Sequence, residues 1–331
     1  MQLEYVTRPT LNRLLPWLST AAGWTLGVAV VATACSGPAR TSHTAIVVFN
    51  AGALALPLRQ ALDSFAPRHG LIVSQENAGS IETVRKITEL GRVPDVVALA
   101  DTALFSLLLP GRLAGAVAVL GGTRLVLAYT ARSRFASEVN ARNWFEVTTR
   151  SGVQVGRSDP SLDPAGYRAL MAMQLAERFY ARPGLALRLE QAASTENMRP
   201  KSADLIALLQ TGNLDYAWEY ESVARALGLR VVRLPPEVDL GDPALAATYA
   251  SARVEIPRWG RGESAGRNGQ HRAPFVIKGG LIVFGAAVPK DAPNPAIGRR
   301  FITYLMSPSG RGTLAAFGLH SGTRPDVTDT K

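Results

Sequence analysis

The chain has 331 residues, too many for one ordinary hydrophobic core and about right for two lobes. With 47% hydrophobic and 19% charged residues it is globular rather than disordered. Its formal net charge of +10 comes largely from arginines spread along the sequence rather than gathered in blocks. That speaks against a nucleic-acid arm and for a general attraction to anions, with a solvated basic surface lacking any dedicated partner as the alternative. The single cysteine, Cys35, rules out an internal disulfide, and His43, His69, His271 and His320 stand at no metal-ligand spacing, so the usual zinc and thiol chemistries are excluded.

The N-terminus carries Arg8 and Arg13, then a largely apolar stretch over residues 14–32, then Ala32-Thr33-Ala34-Cys35. Small residues before a cysteine read as a lipoprotein-type cleavage site. Residues 1–34 are therefore expected to be a signal peptide, with Cys35 as the lipidated first residue of the mature protein. Each buried lipid methylene contributes about 0.8 kcal/mol, so several acyl chains would hold the protein at the membrane. An uncleaved signal anchor is the alternative. Either way the globular part lies outside the cytoplasm. Residues 35–43 follow as a short polar linker.

Beyond the linker, apolar β-rich runs alternate with helical patterns. Strands are expected at 45–49, 71–74 and 96–100, and helices at 57–65 and 81–90, the latter with Ile81, Val84, Ile87 and Leu90 on one side. Residues 125–129 and 153–155 read as strands. The helix from Pro164 to about Tyr180 follows, with Leu170, Met173, Ala176 and Tyr180 at helical spacing. A helix at 203–210, strands at 215–219, 229–234 and 281–288, and a closing helix at 296–306 complete the pattern. Gly121-Gly122 and Gly279-Gly280 read as turns before strands, 258–272 as an exposed basic loop, and the residues from Thr323 as a frayed tail. Alternation of this kind means parallel βαβ units and an α/β fold.

Three segments share one design, in which a strand, a polar glycine-bearing or proline-bearing turn and a helix start follow one another. They are Phe49-Asn50-Ala51-Gly52-Ala53, Asn77-Ala78-Gly79-Ser80, and Ser158-Asp159-Pro160-Ser161-Leu162-Asp163-Pro164. A helix start offers unpaired N–H groups and a positive dipole end, worth about 0.3–1 kcal/mol to an anion and up to about 2 when partly buried. Ordinary capping by Ser80 and Asp163, with Pro164 at the first helical position, is the competing explanation. Further on, Asp215, Ala217, Glu219 and Glu221 share one face of a strand, and a carboxylate at a strand end often marks an α/β cleft. For Glu221 a solvated acidic edge is the preferred reading.

No enzyme is expected. The sequence has no Gly-x-Ser-x-Gly, no Walker A pattern and no Gly-x-Gly-x-x-Gly opening a helix after a strand. Asp159 and Asp163 could in principle serve as a glycosidase acid pair, but no sugar-stacking aromatics accompany them.

Several motifs together resemble one family. Gly156-Arg-Ser-Asp-Pro-Ser-Leu-Asp-Pro-Ala-Gly-Tyr-Arg168, Asp215-Tyr-Ala-Trp-Glu-Tyr-Glu-Ser-Val-Ala224, and Gly79-Ser80 with Val84-Arg-Lys-Ile-Thr-Glu-Leu-Gly91 are similar to the tungstate/molybdate-binding proteins of ABC importers, of the type best known from archaea. The likeness runs from about Val47 to about Gly318. It implies a type II periplasmic-binding-protein fold, with two α/β lobes closing about a two-stranded hinge. Lobe 1 would comprise 44–124 plus 285–325, and lobe 2 would comprise 125–284 with the hinge strands 125–129 and 281–288.

The resemblance also implies a site. A tungstate or molybdate oxyanion would lie between the lobes, held by N–H groups at Gly52, Ala53, Gly79 and Ser80 and by the Ser80 hydroxyl, with Asp163 and Glu219 coordinating its metal atom. No cofactor is expected beyond this ligand. The implied partner is a membrane permease, and the protein is expected to be a monomer that does not bind nucleic acid. Sulfate or phosphate is the alternative ligand. The family's first turn ends Ala-Gly-Ser, whereas here it is Ala51-Gly52-Ala53. The change removes a hydroxyl donor worth about 0.5–1.5 kcal/mol, with Asn50 as the side chain placed to compensate.

Overall fold

A computed structural model describes residues 44–257 and 274–320. The expected signal peptide at 1–34, Cys35, the expected linker to His43, the basic segment 258–272 and the tail from Thr323 lie outside the described residues. Among the described residues, no helix is long and apolar enough to cross a membrane.

The strands are β1 (Ala45–Ala51), β2 (Ile72–Ala78), β3 (Val96–Leu99), β4 (Ala118–Thr123), β5 (Leu125–Tyr129), β6 (Val155–Ser158), β7 (Met198–Arg199), β8 (Tyr216–Tyr220), β9 (Arg230–Arg233), β10 (Arg253–Ile256), β11 (Phe275–Lys278) and β12 (Ile282–Ala287). They form two five-stranded sheets, ordered β2-β1-β3-β12-β4 and β7-β6-β8-β5-β9, and a two-stranded ribbon of β10 and β11. β1 runs parallel to β2 and β3, while β12 is antiparallel to β3 and β4. In the second sheet β6 is parallel to β8, and β5 is antiparallel to both β8 and β9.

The central strands are apolar on both faces because helices cover both faces of a parallel sheet. The Ala55–Phe65 helix buries Leu58, Ala61, Leu62 and Phe65, and the Ser80–Thr88 helix buries Ile81, Val84 and Ile87. Leu90, expected on the same apolar stripe, is 63% exposed. The helix has already ended at Thr88, and Gly91 turns the chain away with φ +66°.

Only Arg124 separates β4 from β5, so the chain leaves the first sheet and enters the second across a single residue. It returns at residues 279–281. There Gly279 lies so close to other backbone that a Cβ would fall 2.0 Å from the Tyr249 carbonyl oxygen. β12 belongs wholly to the first sheet, pairing with β4 from Ile282 opposite Thr123 onward. The lobe boundary drawn between 284 and 285 thus falls inside a strand, and the change of sheet lies at 279–281. The Pro295–Met306 and Pro308–Ala316 helices then close the first lobe, and His320 bridges to Gly122.

Gly121-Gly122 is not the turn its composition suggests. Both residues are inside β4, where the register opposite β12 slips between Phe284 and Gly285, leaving Leu120 as the extra residue of a bulge. Gly121 takes φ +149°, and a Cβ there would lie 3.0 Å from the Leu319 carbonyl carbon. Glycine within a strand marks such close backbone approach. Gly121→Ala should therefore lower the unfolding free energy by about 2 kcal/mol or more, read from the urea midpoint. An unchanged midpoint would mean that this strand has room to relax.

Candidate functional site

The three strand–turn–helix segments meet. Gly79 is the N-cap of the Ser80–Thr88 helix, with φ −62° and ψ 149°. A Cβ on Gly79 would fall 2.3 Å from the Leu162 carbonyl oxygen and 3.3 Å from Asp163 Cβ, so only glycine lets the second and third turns touch. The amides of Ile81 and Glu82 donate to that same Leu162 carbonyl at 3.0 and 3.3 Å. These are first-turn helix amides with no intrahelical partner, and the other lobe supplies one. The first turn reaches the same place through a fourth segment. A Cβ on Gly52 would lie 3.2 Å from Lys201 Cδ and 3.5 Å from Ala203 Cβ. Between those two residues Ser202 donates its N–H to Asp163 Oδ2 at 2.8 Å.

Neither candidate cap acts as one. Ser80 is the first helical residue, and its hydroxyl oxygen accepts from the Ala100 amide at 2.9 Å, which leaves its hydrogen directed elsewhere. Asp163 occupies the N-cap position of the Pro164–Phe179 helix but makes no side-chain capping bond. Its carboxylate turns to Ser202 instead. Burial pushes its pKa up to about 6, against the pull of the Ser202 bond and of the nearby Ser158 hydroxyl. Asp159 is occupied in building the turn, accepting from both the amide and the hydroxyl of Ser161 at 2.8 and 2.7 Å. It is thus not half of an acid pair with Asp163.

Glu219, on β8, is completely buried. Oε1 accepts from the Tyr220 amide at 2.7 Å, while Oε2 makes no hydrogen bond of proper geometry among the described residues. Burial drives its pKa up to about 8; the Tyr220 bond and the nearby Ser202 hydroxyl oppose this, and the charge of Asp163 adds to it. Tyr220 Oη and Ser158 Oγ are likewise buried without a hydrogen bond of proper geometry. Leaving such groups unpaired costs about 1–3 kcal/mol each, and three of them lie around two buried acids. Among the described residues no cluster of acids, histidines and cysteines is suited to a resident metal ion.

The other sequence candidates divide cleanly. Gly52 and Ala53 lie at the first turn and are half-buried; Gly79 and Ser80 are buried. Asn50 does not compensate for the hydroxyl missing at Ala53. Its Nδ2 donates to the Ala51 carbonyl at 2.7 Å and to Asn77 at 2.8 Å, and its Oδ1 accepts from Gln75 at 3.1 Å. Asp215 is structural, accepting from the amides of Arg134 and Gln154. Glu221 is no solvated edge. Burial would raise its pKa, but Arg225 and Arg233 outweigh that, and Arg124 completes a three-arginine clasp. Lys201 and Ser202 went unnoticed in the sequence, although Met198–Arg199, a turn and the Ala203–Thr211 helix repeat the strand–turn–helix design that flagged the other three.

The raised acids make folding pH-dependent. An acid whose pKa is higher in the folded state binds more protons there, so its penalty is absent below the ordinary carboxylate range and grows as pH rises towards the folded value. For Asp163 that window ends near pH 6, and for Glu219 near pH 8. The ligand-free protein should lose thermal stability between pH 5 and 8. Glu219→Gln should flatten the upper half of that fall and melt higher than the parent at pH 8. Parallel profiles would show that Glu219 ionises without penalty.

Residues 46–320 match the family of bacterial extracellular solute-binding proteins. An uncharacterized solute-binding protein of Petrotoga mobilis is 36% identical over 283 residues, 85% of each chain. The molybdate/tungstate-binding protein WtpA of Pyrococcus abyssi is 31% identical over 80% of this chain and 81% of its own, and that of Thermococcus kodakarensis 32% over 81% and 80%. Among solved structures, the sulfate-binding protein SubI of Mycobacterium tuberculosis aligns with a TM-score of 0.58 at 13% identity, over 84% of this chain and 86% of that one. The periplasmic molybdate-binding protein of Azotobacter vinelandii gives 0.55 at 16%, over 85% and 99%. At such identities the likeness speaks for the fold, which is the type II periplasmic-binding-protein fold expected. Two sheets exchanging strands across a short crossing, acids and hydroxyls gathered where they meet, and a family match along nearly the whole described chain lead to one conclusion: the chain belongs to the bacterial extracellular solute-binding proteins.

Proposed function

We propose that this protein captures tungstate or molybdate for an ABC importer, as a monomer tethered outside the cytoplasm through a lipid on Cys35 and delivering its cargo to a membrane permease. The observation that carries the ligand assignment is the pair Asp163 and Glu219, both buried and close enough for the charge of one to act on the other. The relatives at 31–32% identity whose names specify molybdate and tungstate support it. Oxygen atoms of the anion would take hydrogen bonds from the Ser80 hydroxyl and from N–H groups at Gly52, Ala53, Gly79 and Ser80. The two carboxylates would bind the metal atom itself. The lobes would rotate about Arg124 and residues 279–281. The reading includes no catalytic step.

Electrostatics explains why such a site selects. Two unit charges of like sign 4 Å apart repel by about 4 kcal/mol at an effective dielectric of 20. Direct coordination to a highly charged metal centre offsets that; sulfate and phosphate, which cannot expand their coordination, offer no such bond. A second reading, a sulfate or phosphate receptor, draws on Ala53 and on the high pKa of Glu219, since a protonated Glu219 would donate a hydrogen bond to any tetrahedral anion.

Calorimetry on the protein lacking residues 1–34 separates the two. Submicromolar binding of tungstate and molybdate without sulfate heat is expected. Asp163→Ala and Glu219→Ala should each weaken it at least ~10-fold, about 1.4 kcal/mol. Binding of sulfate or phosphate alone would replace the first reading with the second.

A further inference from the structure

A buried ion pair joins the two lobes one step away from the anion cleft. Asp101 follows β3 in the first lobe, and Tyr167 and Arg168 lie on the Pro164–Phe179 helix of the second. Asp101 Oδ2 accepts from Tyr167 Oη and from Arg168 Nη2, both at 2.6 Å. The two charged side chains are each only 3% exposed. Arg168 also donates from Nη1 to the Gly280 carbonyl at 2.7 Å and from Nη2 to the Leu281 carbonyl at 3.3 Å, gripping the crossing by which the chain returns to the first sheet. Asp101 is fixed in its own lobe. Its Oδ1 caps the Ala103 amide at 2.9 Å, and the next residue, Thr102, donates to the Val283 carbonyl.

Both ends of this pair are wired to groups placed at the anion. Ala100, adjacent to Asp101, holds the Ser80 hydroxyl. Arg168 stands five residues after Asp163 on the helix that Asp163 begins. We propose that Asp101, Tyr167 and Arg168 form an interlobe latch, positioning residues that touch no ligand but set the spacing between the Ser80 and Asp163 sides of the cleft and hold it closed. The inference rests on the reading that the lobes open and close around an anion. On this proposal opening loads the bonds from Asp101 to Tyr167 and Arg168, which stand on different lobes, while Arg168 keeps its hold on the crossing at Gly280 and Leu281. An ion pair taken out of water suits this use: it contributes modest net stability when made and a large penalty when only one partner remains. Arg168 cannot be replaced by lysine without loss, since a point ammonium does not span a carboxylate and two carbonyls at once.

The cleft contains its own reporter. The amides of Ile81 and Glu82 are helix-terminal, so their protection from exchange comes from the Leu162 carbonyl of the other lobe. Hydrogen exchange by mass spectrometry on the full chain in detergent micelles, without ligand, reads that contact directly. In Tyr167→Phe and Arg168→Lys the peptide containing Ile81 and Glu82 should exchange at least ~10-fold faster, as expected for loss of a hydrogen bond to a charged group. The β1 peptide at 45–51 should be unaltered. Tungstate should then dissociate ~10-fold faster from either variant, with association within about twofold of the parent. Unaltered exchange at 81–82 in both folded variants would overturn the latch. So would acceleration of β1 in step with it, which would reduce the pair to a general stabiliser. If the parent chain binds neither tungstate nor molybdate, the ligand reading fails while the exchange arm still decides the latch.

Discussion

Burying a carboxylate away from any cation is among the costlier things a fold can do, and here it happens twice, in acids close enough for one to act on the other. Neither Asp163 nor Glu219 is ion-paired among the described residues, although arginine is plentiful and even Glu221, two positions on, collects three of them. What the two acids receive instead is a backbone amide each, from Ser202 and from Tyr220, with the Ser158 and Ser202 hydroxyls nearby. Amides hold a side chain in place without neutralising it. The result is a pair of oriented acids in which burial favours the protonated form, in surroundings where charge is strongly felt. The glycine at 79, the carbonyl of Leu162 and the short crossing at Arg124 bring the two lobes together beside Asp163.

Much of this was legible in the sequence because local physics carried it. The apolar run at 125–129 and the helical spacing after Pro164 appear in the structure almost residue for residue. The turns at Gly52, Gly79 and Asp163 were visible because glycine, proline and small polar residues mark strand-to-helix transitions whatever surrounds them. β4 was hidden because two glycines in its middle look like a turn until the neighbouring chain that demands them is known. The β10–β11 ribbon was hidden because its halves flank the basic segment and neither has enough length to announce itself.

The site was less legible than the fold for a related reason. Asp163 and Glu219 stood out through motif resemblance, whereas Ser202, Lys201 and the Asp101–Arg168 pair depend on contacts between segments far apart in sequence. Asn50 illustrates the converse. Its type and position suited an anion ligand, yet Gln75 and Asn77 on the adjacent strand absorb its hydrogen-bonding capacity. One sequence shows which residues could serve but not which neighbours have already claimed them.

The contact between Gly79 and Leu162 leaves no slack, since even a methyl group would not fit between them. The amides of Ile81 and Glu82 are satisfied only at that separation. Any group wedged between them would keep the carbonyl from arriving and strand two helix-terminal donors. The junction of the two lobes thus works as a calliper. It converts separation, a continuous quantity, into a yes-or-no count of backbone bonds made.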